Sequence, residues 1–208
     1  MLGKTHKAFG ATAVAITAIG YYHITGHHIT QDLVFELNTT PTNETLLHIK
    51  PNSSEYVNWF HPLVQYIVLL LAGIIGASAP DIDQNIPGMK HRTWTHTLWA
   101  ILIFSGLTYY LRYHYLSNEL LVDMTLVIAM FGFTIGYASH LFGDAFSTSG
   151  IDWFYPLIGY KSYGSGASVV RGFRGPFIPI YSVGHGVIGA GFWSGVAFIL
   201  SLYYILLL

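Results

Sequence analysis

Several apolar segments approach the length needed to cross a membrane, and they constrain the fold more than any other feature of the chain. A helix needs about 20 largely apolar residues to span the hydrocarbon core of a bilayer. Five segments come close to this length: Ala8–Tyr22, Leu63–Ala79, Thr97–Leu111, Leu120–Phe142 and Gly186–Leu208. Because the first and third are short, the pattern predicts an all-α, polytopic membrane helical bundle of four to five spans.

Composition agrees with a membrane protein and excludes some function classes. Hydrophobic residues make up 52% of the chain, and only nine Lys and Arg stand against ten Asp and Glu, which is too apolar for an ordinary soluble domain. The net charge of −1 gives no basic surface of the kind that nucleic acid requires, so no nucleic-acid partner is expected. Since the chain has no cysteine, any metal site must use nitrogen and oxygen ligands.

Basic residues predict the orientation in the membrane. If all five segments cross, seven basic residues lie on one side and two, Lys50 and Arg112, on the other. The seven are Lys4, Lys7, Lys90, Arg92, Lys161, Arg171 and Arg174. The positive-inside rule then predicts a multi-pass protein with a cytoplasmic N-terminus. We expect one membrane-embedded domain over residues 1–208, with a polar non-cytoplasmic loop at about 23–61 and a Gly/Ser/Arg-rich cytoplasmic loop at about 145–185.

Seven ionisable residues near the ends of the segments fall together on this cytoplasmic side. They are His6, Asp81, Asp83, His91, His96, His140 and Asp144. Charged groups close to a bilayer are costly, so such a grouping implies partners or function. Imidazoles and carboxylates together suit Zn²⁺, Mn²⁺ or Fe²⁺. Because seven candidates exceed the four ligands of a structural zinc, the pattern predicts two adjacent divalent ions.

Two of the motifs lie between the second and third apolar segments. Pro80 interrupts the helical pattern, so Asp81 and Asp83 are expected on a turn or an extended segment. If the segment is extended, alternate residues point the same way. One carboxylate then ligates a metal while the other orients a histidine or bridges a second ion. His91 and His96 lie five residues apart and can converge on one site, and Thr95 is expected to cap the third helix.

The third motif is at the end of the fourth segment. His140 and Asp144 are four residues apart and share one face of a helix. Both can ligate one ion, or the carboxylate can hold the imidazole tautomer. Small residues such as Gly136 and Gly143 permit close approach of a neighbouring helix. Taken singly, each motif also has a structural interpretation. Asp81 and Asp83 fit an Asp-rich turn, and His91 and His96 fit residues that face lipid headgroups. His140 and Asp144 fit a structural hydrogen bond.

Four cations are candidates for holding a substrate phosphate. Guanidinium groups match phosphate oxygens well; the candidates are Arg92, Lys161, Arg171 and Arg174. The alternative is anchoring of this side to anionic headgroups.

An ordered set of short motifs resembles a known family. The set comprises a Thr5-His6 start, Pro80-Asp81-Ile82-Asp83, His91-Arg92-x-x-Thr95-His96 and Gly136-Tyr137-x-Ser139-His140-x-x-x-Asp144. It resembles the bacterial inner-membrane metal-dependent hydrolases of the YdjM type, over most of Met1–Leu157. That family is distantly similar to zinc-dependent phospholipase C and P1-type nuclease, which are all-helical.

The resemblance implies phosphoester hydrolysis at a metal cluster. It places metal ligands at His6, Asp81, His96, His140 and Asp144, with Asp83 and His91 as further ligands or as the groups that shuttle protons and orient ligands. The chain has Gln84-Asn85-Ile86-Pro87 where a His-Pro-x-Ser-like stretch is typical of the family.

We therefore expect a hydrolase that uses metal-activated water to cleave a phosphoester of a membrane lipid, such as a phospholipid or an isoprenoid phosphate. The rival hypotheses are a metal-ion transporter or sensor, since His and Asp inside membranes also mark ion pathways, and a membrane scaffold with a structural metal. Zinc is the expected ion, with manganese or iron as alternatives. The sequence indicates no oligomeric state.

Overall fold

A computed structural model describes residues 3–30, 33, 62–88, 93–114, 120–145, 151, 153–155 and 187–208. Five α-helices of at least 15 residues lie in this part of the chain: α1 (Gly3–Thr25), α2 (Pro62–Gly76), α3 (Leu98–His114), α4 (Leu120–Ala145) and α5 (Val187–Leu207). Two short 3₁₀ helices, Pro80–Asn85 and Trp94–His96, lie between α2 and α3. None of the described residues forms a strand, which confirms the all-α fold class.

The helices differ in how well they fit a bilayer crossing. Residues Thr125–Ala145 of α4 and Gly189–Leu207 of α5 are long and apolar enough to span a membrane, whereas Pro62–Gly76 and Leu98–Arg112 are apolar but shorter. Two spans thus have support from length and composition, and the count of four to five stays a prediction. The predicted loops at 23–61 and 145–185 lie largely outside the described residues.

Helix α4 lies at the centre of the bundle. It packs against α1, α2 and α3, and α1 also contacts α2 and α5. A buried cluster that includes Val14, Leu69 and Ile128 joins α1, α2 and α4. Polar contacts add to the packing of α5, because the Thr12 hydroxyl donates to the Trp193 carbonyl at 3.1 Å and the Tyr66 hydroxyl donates to Ser201 Oγ at 2.8 Å. These contacts hold α1, α2, α4 and α5 in one arrangement.

Glycines let α2 and α4 approach until their backbones touch. A Cβ atom at Gly136 would lie 1.9 Å from the Gly73 carbonyl oxygen, and one at Gly76 would lie 2.1 Å from the Phe133 carbonyl oxygen. Gly132 meets the Leu69 carbonyl in the same way, at 2.3 Å. Small residues at helix interfaces allow this kind of close packing in membrane proteins. The prediction that Gly136 permits close approach is confirmed.

We expect Gly136→Ala to destabilise the protein, because the added methyl group meets backbone atoms of α2 that cannot move independently. Overpacking of this kind costs about 1–3 kcal/mol. Thermal unfolding of the detergent-solubilised protein measures the effect. Gly106→Ala on α3 is the matched control, since a Cβ there meets nothing within 4 Å. Equal melting temperatures for the two variants would contradict the close contact of α2 with α4.

Candidate metal centre

Four side chains from three separate parts of the fold converge on one point. His96 Nε2 and His140 Nε2 lie 3.2 Å apart. Asp81 Oδ1 lies 3.8 Å from His96 Nε2 and 3.6 Å from His140 Nε2, and Asp144 Oδ2 lies 3.6 Å from both nitrogen atoms. All four donor atoms fall within 4.8 Å of one another. We call Asp81, His96, His140 and Asp144 the four-donor group.

The spacing of the four-donor group fits a bound divalent ion. Nitrogen and oxygen ligands lie about 2.0–2.2 Å from a zinc ion, so that tetrahedral ligands are separated from each other by about 3.3–3.6 Å. The four histidine–carboxylate separations and the histidine–histidine separation are 3.2–3.8 Å, close to these values, and all four donor atoms lie within 4.8 Å of one another. Two carboxylates and two imidazoles are also the donor types that such ions accept.

The orientation of His140 leaves Nε2 as its metal-facing atom. Its Nδ1 lies 2.7 Å from the carbonyl oxygen of Ala77, an acceptor, so we assign the proton to Nδ1 and the lone pair to Nε2. Ala77 follows directly after Gly76, the last residue of α2, and carbonyls at a helix end lack partners within their own helix. The close packing of α2 and α4 therefore supplies the acceptor that orients His140.

The orientation of His96 depends on two side chains. Its Nδ1 lies 2.9 Å from Thr95 Oγ1 and 3.4 Å from Asp83 Oδ2, and the Thr95 hydroxyl donates to Asp83 Oδ2 at 2.7 Å. Since a carboxylate only accepts hydrogen bonds, Nδ1 of His96 is the donor and Nε2 again carries the lone pair. Both imidazoles thus present lone pairs to each other and to two carboxylates, an arrangement that a cation would stabilise.

The 3₁₀ segment changes what the sequence predicts for the two aspartates. If the segment were extended the two would point the same way, but Pro80–Asn85 is a 3₁₀ helix with about three residues per turn. Asp81 consequently joins the four-donor group, while Asp83 is fully buried on the Nδ1 side of His96. The predicted capping role of Thr95 is wrong, because α3 begins at Leu98 and the Thr95 side chain contacts Asp83 and His96 instead.

His6 lies directly beside the four-donor group. Its ring stacks on that of His140 with centroids 3.7 Å apart, and its Nε2 lies 3.3 Å from Asp144 Oδ1, the carboxylate oxygen that the His96 and His140 contacts do not use. The His6 side chain is 1% exposed, and within the described part of the chain neither ring nitrogen meets the geometry of a hydrogen bond. An imidazole buried in this way is costly unless a ligand satisfies it.

Electrostatics put the group in the form that binds metal. Burial alone would raise the pKa of Asp81, but a hydrogen bond from His96 and positive charge on His140 and His6, in their protonated forms, outweigh burial and lower the pKa to about 2. Burial lowers the pKa of His96 below its usual value, an effect that Asp81 only partly offsets. Near neutral pH the carboxylate is therefore ionised and the imidazole neutral, as metal binding requires.

One member of the four-donor group is partly exposed at the surface of the protein. Asp81 is 24% exposed at its side chain, whereas His96, His140 and Asp144 are at most 1% exposed. Large apolar side chains close to Asp81 in the sequence are also exposed, namely Ile82 at 56% and Ile86 at 44%. Access to the donors is therefore from the Asp81 side.

Of the seven predicted ligands, the structure brings six together. His91 lies outside the described residues, as do the predicted phosphate-binding cations Arg92, Lys161, Arg171 and Arg174. Three contributors were not predicted: the Ala77 carbonyl, the Thr95 hydroxyl as a partner of Asp83, and Tyr137, whose hydroxyl donates to the Thr95 carbonyl. Tyr137 lies one helical turn before His140, and that spacing is the sequence signal that could have identified it.

Comparisons with known proteins bear on the family. The model of a family described as YdjM inner membrane protein matches residues 45–208, which include Asp81, His96, His140 and Asp144 but not His6. No curated protein and no solved structure gives a significant match. The matched region is most of the chain and contains the whole four-donor group, and the chain accordingly belongs to the YdjM inner membrane protein family.

Proposed function

We propose that the protein is a membrane-bound, metal-dependent hydrolase that cleaves a phosphoester of a lipid, such as a phospholipid or an isoprenoid phosphate. The observation that carries this proposal is the convergence of Asp81, His96, His140 and Asp144, whose donor atoms all lie within 4.8 Å of one another. A bound divalent ion would supply a Lewis acid that lowers the pKa of water and offsets charge developing on the phosphoester.

The donors fall into two sets, which supports the binding of two ions. The four-donor group would hold one ion, zinc by preference and manganese or iron as alternatives. His6 and Asp144 Oδ1 would contribute to a second ion, with the Asp144 carboxylate shared between the two, because its oxygens face different imidazoles.

We assign different roles to Asp83 and His91, the two predicted catalytic residues. Asp83 is fully buried and lies on the Nδ1 side of His96, so its position favours orienting the ligand over exchanging protons with a substrate. His91, which is outside the described residues, is left as the proposed proton shuttle.

A lipid substrate is supported by the surroundings of Asp81. Access to the donors is on the side of the exposed Ile82 and Ile86, and Trp94, two residues before His96, is 56% exposed. Aromatic and apolar side chains of this kind are typical of the membrane interface. A substrate with acyl or isoprenoid chains could lie along them while its phosphate reaches the donors.

The position of the donors also bears on the rival hypotheses. A transport pathway would carry polar groups near the middle of facing spans, whereas Asp81 and His96 lie outside the α-helices, between the end of α2 and the start of α3. A structural site holds its ion in a closed shell of four ligands, whereas here His6 Nε2 and Asp144 Oδ1 lie beside the four-donor group as further donors. The first observation favours the hydrolase over the transporter, and the second favours it over the scaffold.

We expect about two zinc, manganese or iron ions per chain in protein purified in detergent without chelator, an expectation that follows from the two sets of donors. His140→Ala and Asp81→Ala should lose most of this metal, because each removes one member of the four-donor group. Elemental analysis of the gel-filtered protein measures it. His27→Ala is the control, since His27 is exposed and its backbone N–H bonds Thr25. Absence of stoichiometric metal from the wild type would refute the proposal.

Hydrolysis should depend on the same residues. We expect wild-type protein to release phosphate or a phosphorylated headgroup from vesicles that contain phospholipid or isoprenoid phosphate, and chelator to abolish the release. In folded His140→Ala and Asp81→Ala proteins, turnover should fall by at least about 100-fold, more than the loss seen when only the partners of ligands are changed. Full turnover in both variants would exclude these residues as the centre of the reaction. If the metal-loaded wild type cleaves none of the lipids, the result would favour the transporter and scaffold hypotheses.

The role of the loop cations can be separated from that of the metal. If Arg171 and Arg174 hold the substrate phosphate, their alanine variants should raise KM about tenfold while keeping the metal content of the wild type. Steady-state kinetics on lipid vesicles, with elemental analysis in parallel, distinguishes the two effects. An unchanged KM would instead favour anchoring to anionic headgroups.

A further inference from the structure

The two histidines of the four-donor group are held in very different ways. His140 lies within α4, a helix of 26 residues, and its Nδ1 donates to a backbone carbonyl. His96 ends a 3₁₀ helix of only three residues, Trp94–His96. Such short segments have little stability of their own, so the position of His96 must come from contacts with the rest of the protein.

Contacts from three directions converge on Thr95, the residue before His96. Its hydroxyl donates to Asp83 Oδ2 at 2.7 Å, and the same oxygen lies 2.9 Å from His96 Nδ1. Its carbonyl accepts a hydrogen bond from the Tyr137 hydroxyl of α4. A direct bond between Asp83 and His96 is less favourable, because Asp83 Oδ2 and His96 Nδ1 are 3.4 Å apart. The hydroxyl of Thr95 therefore bridges the imidazole and the carboxylate.

We propose that Thr95 is a positioning residue for the metal centre. Its hydroxyl donates to Asp83 and accepts from His96 Nδ1, so that Asp83 orients the His96 ring through Thr95. This bridge fixes Nδ1 as the protonated nitrogen and aims Nε2 at the other members of the four-donor group. This inference rests on the proposed metal site. Hydrogen-bonding partners of metal-bound histidines commonly fix ring orientation and tautomer, and their loss lowers metal affinity by about 10- to 100-fold. Here the carboxylate acts through an intervening hydroxyl.

The bridge requires a hydroxyl and nothing else of the Thr95 side chain. Thr95→Ser keeps the hydroxyl, whereas Thr95→Val keeps the shape of the side chain and removes it. Thr97→Val is the matched control: Thr97 lies in the same segment and is 1% exposed, but its hydroxyl donates to the Trp94 carbonyl. Any general effect of removing a buried hydroxyl from this segment should appear in both valine variants.

The test is Zn²⁺ affinity, measured on metal-free full-length protein in detergent by competition with a chromophoric chelator. Thr95→Val should weaken binding by about 10- to 100-fold, and Thr95→Ser and Thr97→Val should stay within about threefold of the wild type. Co²⁺ absorption spectra give a second readout, since an altered His96 orientation should change the ligand-field bands of Thr95→Val but not those of Thr97→Val.

Asp83→Asn provides an independent check if Thr95→Val folds poorly, because it leaves Thr95 in place and removes the charge of the acceptor. If both residues act through one bridge, the double variant should lose little more affinity than the weaker-binding single variant. Additive losses would mean separate roles and would overturn the inference.

The outcomes distinguish the inference from the proposed function. Wild-type affinity in Thr95→Val, or equal losses in Thr95→Val and Thr97→Val, would overturn the positioning role while the metal site stands. Absence of Zn²⁺ binding by the wild type would overturn both.

Discussion

The backbone contact between α2 and α4 is the constraint on which the site depends. With glycines at 76, 132 and 136, the two helices approach until the Cβ of an alanine would collide with a carbonyl of the other helix. This closeness places the carbonyl of Ala77, just past the end of α2, 2.7 Å from His140 Nδ1 on α4. A wider separation would remove the acceptor that orients His140. The packing of α2 against α4 therefore sets the orientation of His140.

Burial gives the cluster its chemical character. Two carboxylates of the four-donor group lie beside imidazoles whose lone pairs face one another, in surroundings where three of the four side chains are at most 1% exposed. Like charges and lone pairs that are buried together are unfavourable without a compensating cation. The grouping therefore lowers the stability of the metal-free fold.

Much of the fold was predictable, because apolar segments near bilayer length are a strong signal. Each of the five predicted segments contains most of an observed α-helix, with ends that differ by a few residues, as for Leu63–Ala79 against Pro62–Gly76. The membrane crossing of α1 and α3 is harder to predict, since length and hydropathy are near the limit there. The 3₁₀ helix at Pro80–Asn85 was missed, because a proline followed by aspartates fits a turn, an extended segment and a 3₁₀ helix equally well.

The sequence by itself determined the helices, the family and the residue types able to bind metal, because these follow from local composition and from the order of short motifs. It placed His140 and Asp144 on one helical face, since four residues make about one turn. Only the tertiary structure decided that Asp81 faces the donors while Asp83 supports His96 through Thr95, and that the Ala77 carbonyl orients His140. Those contacts join residues 12 to 63 positions apart, and side-chain direction over such separations is set by how the helices pack.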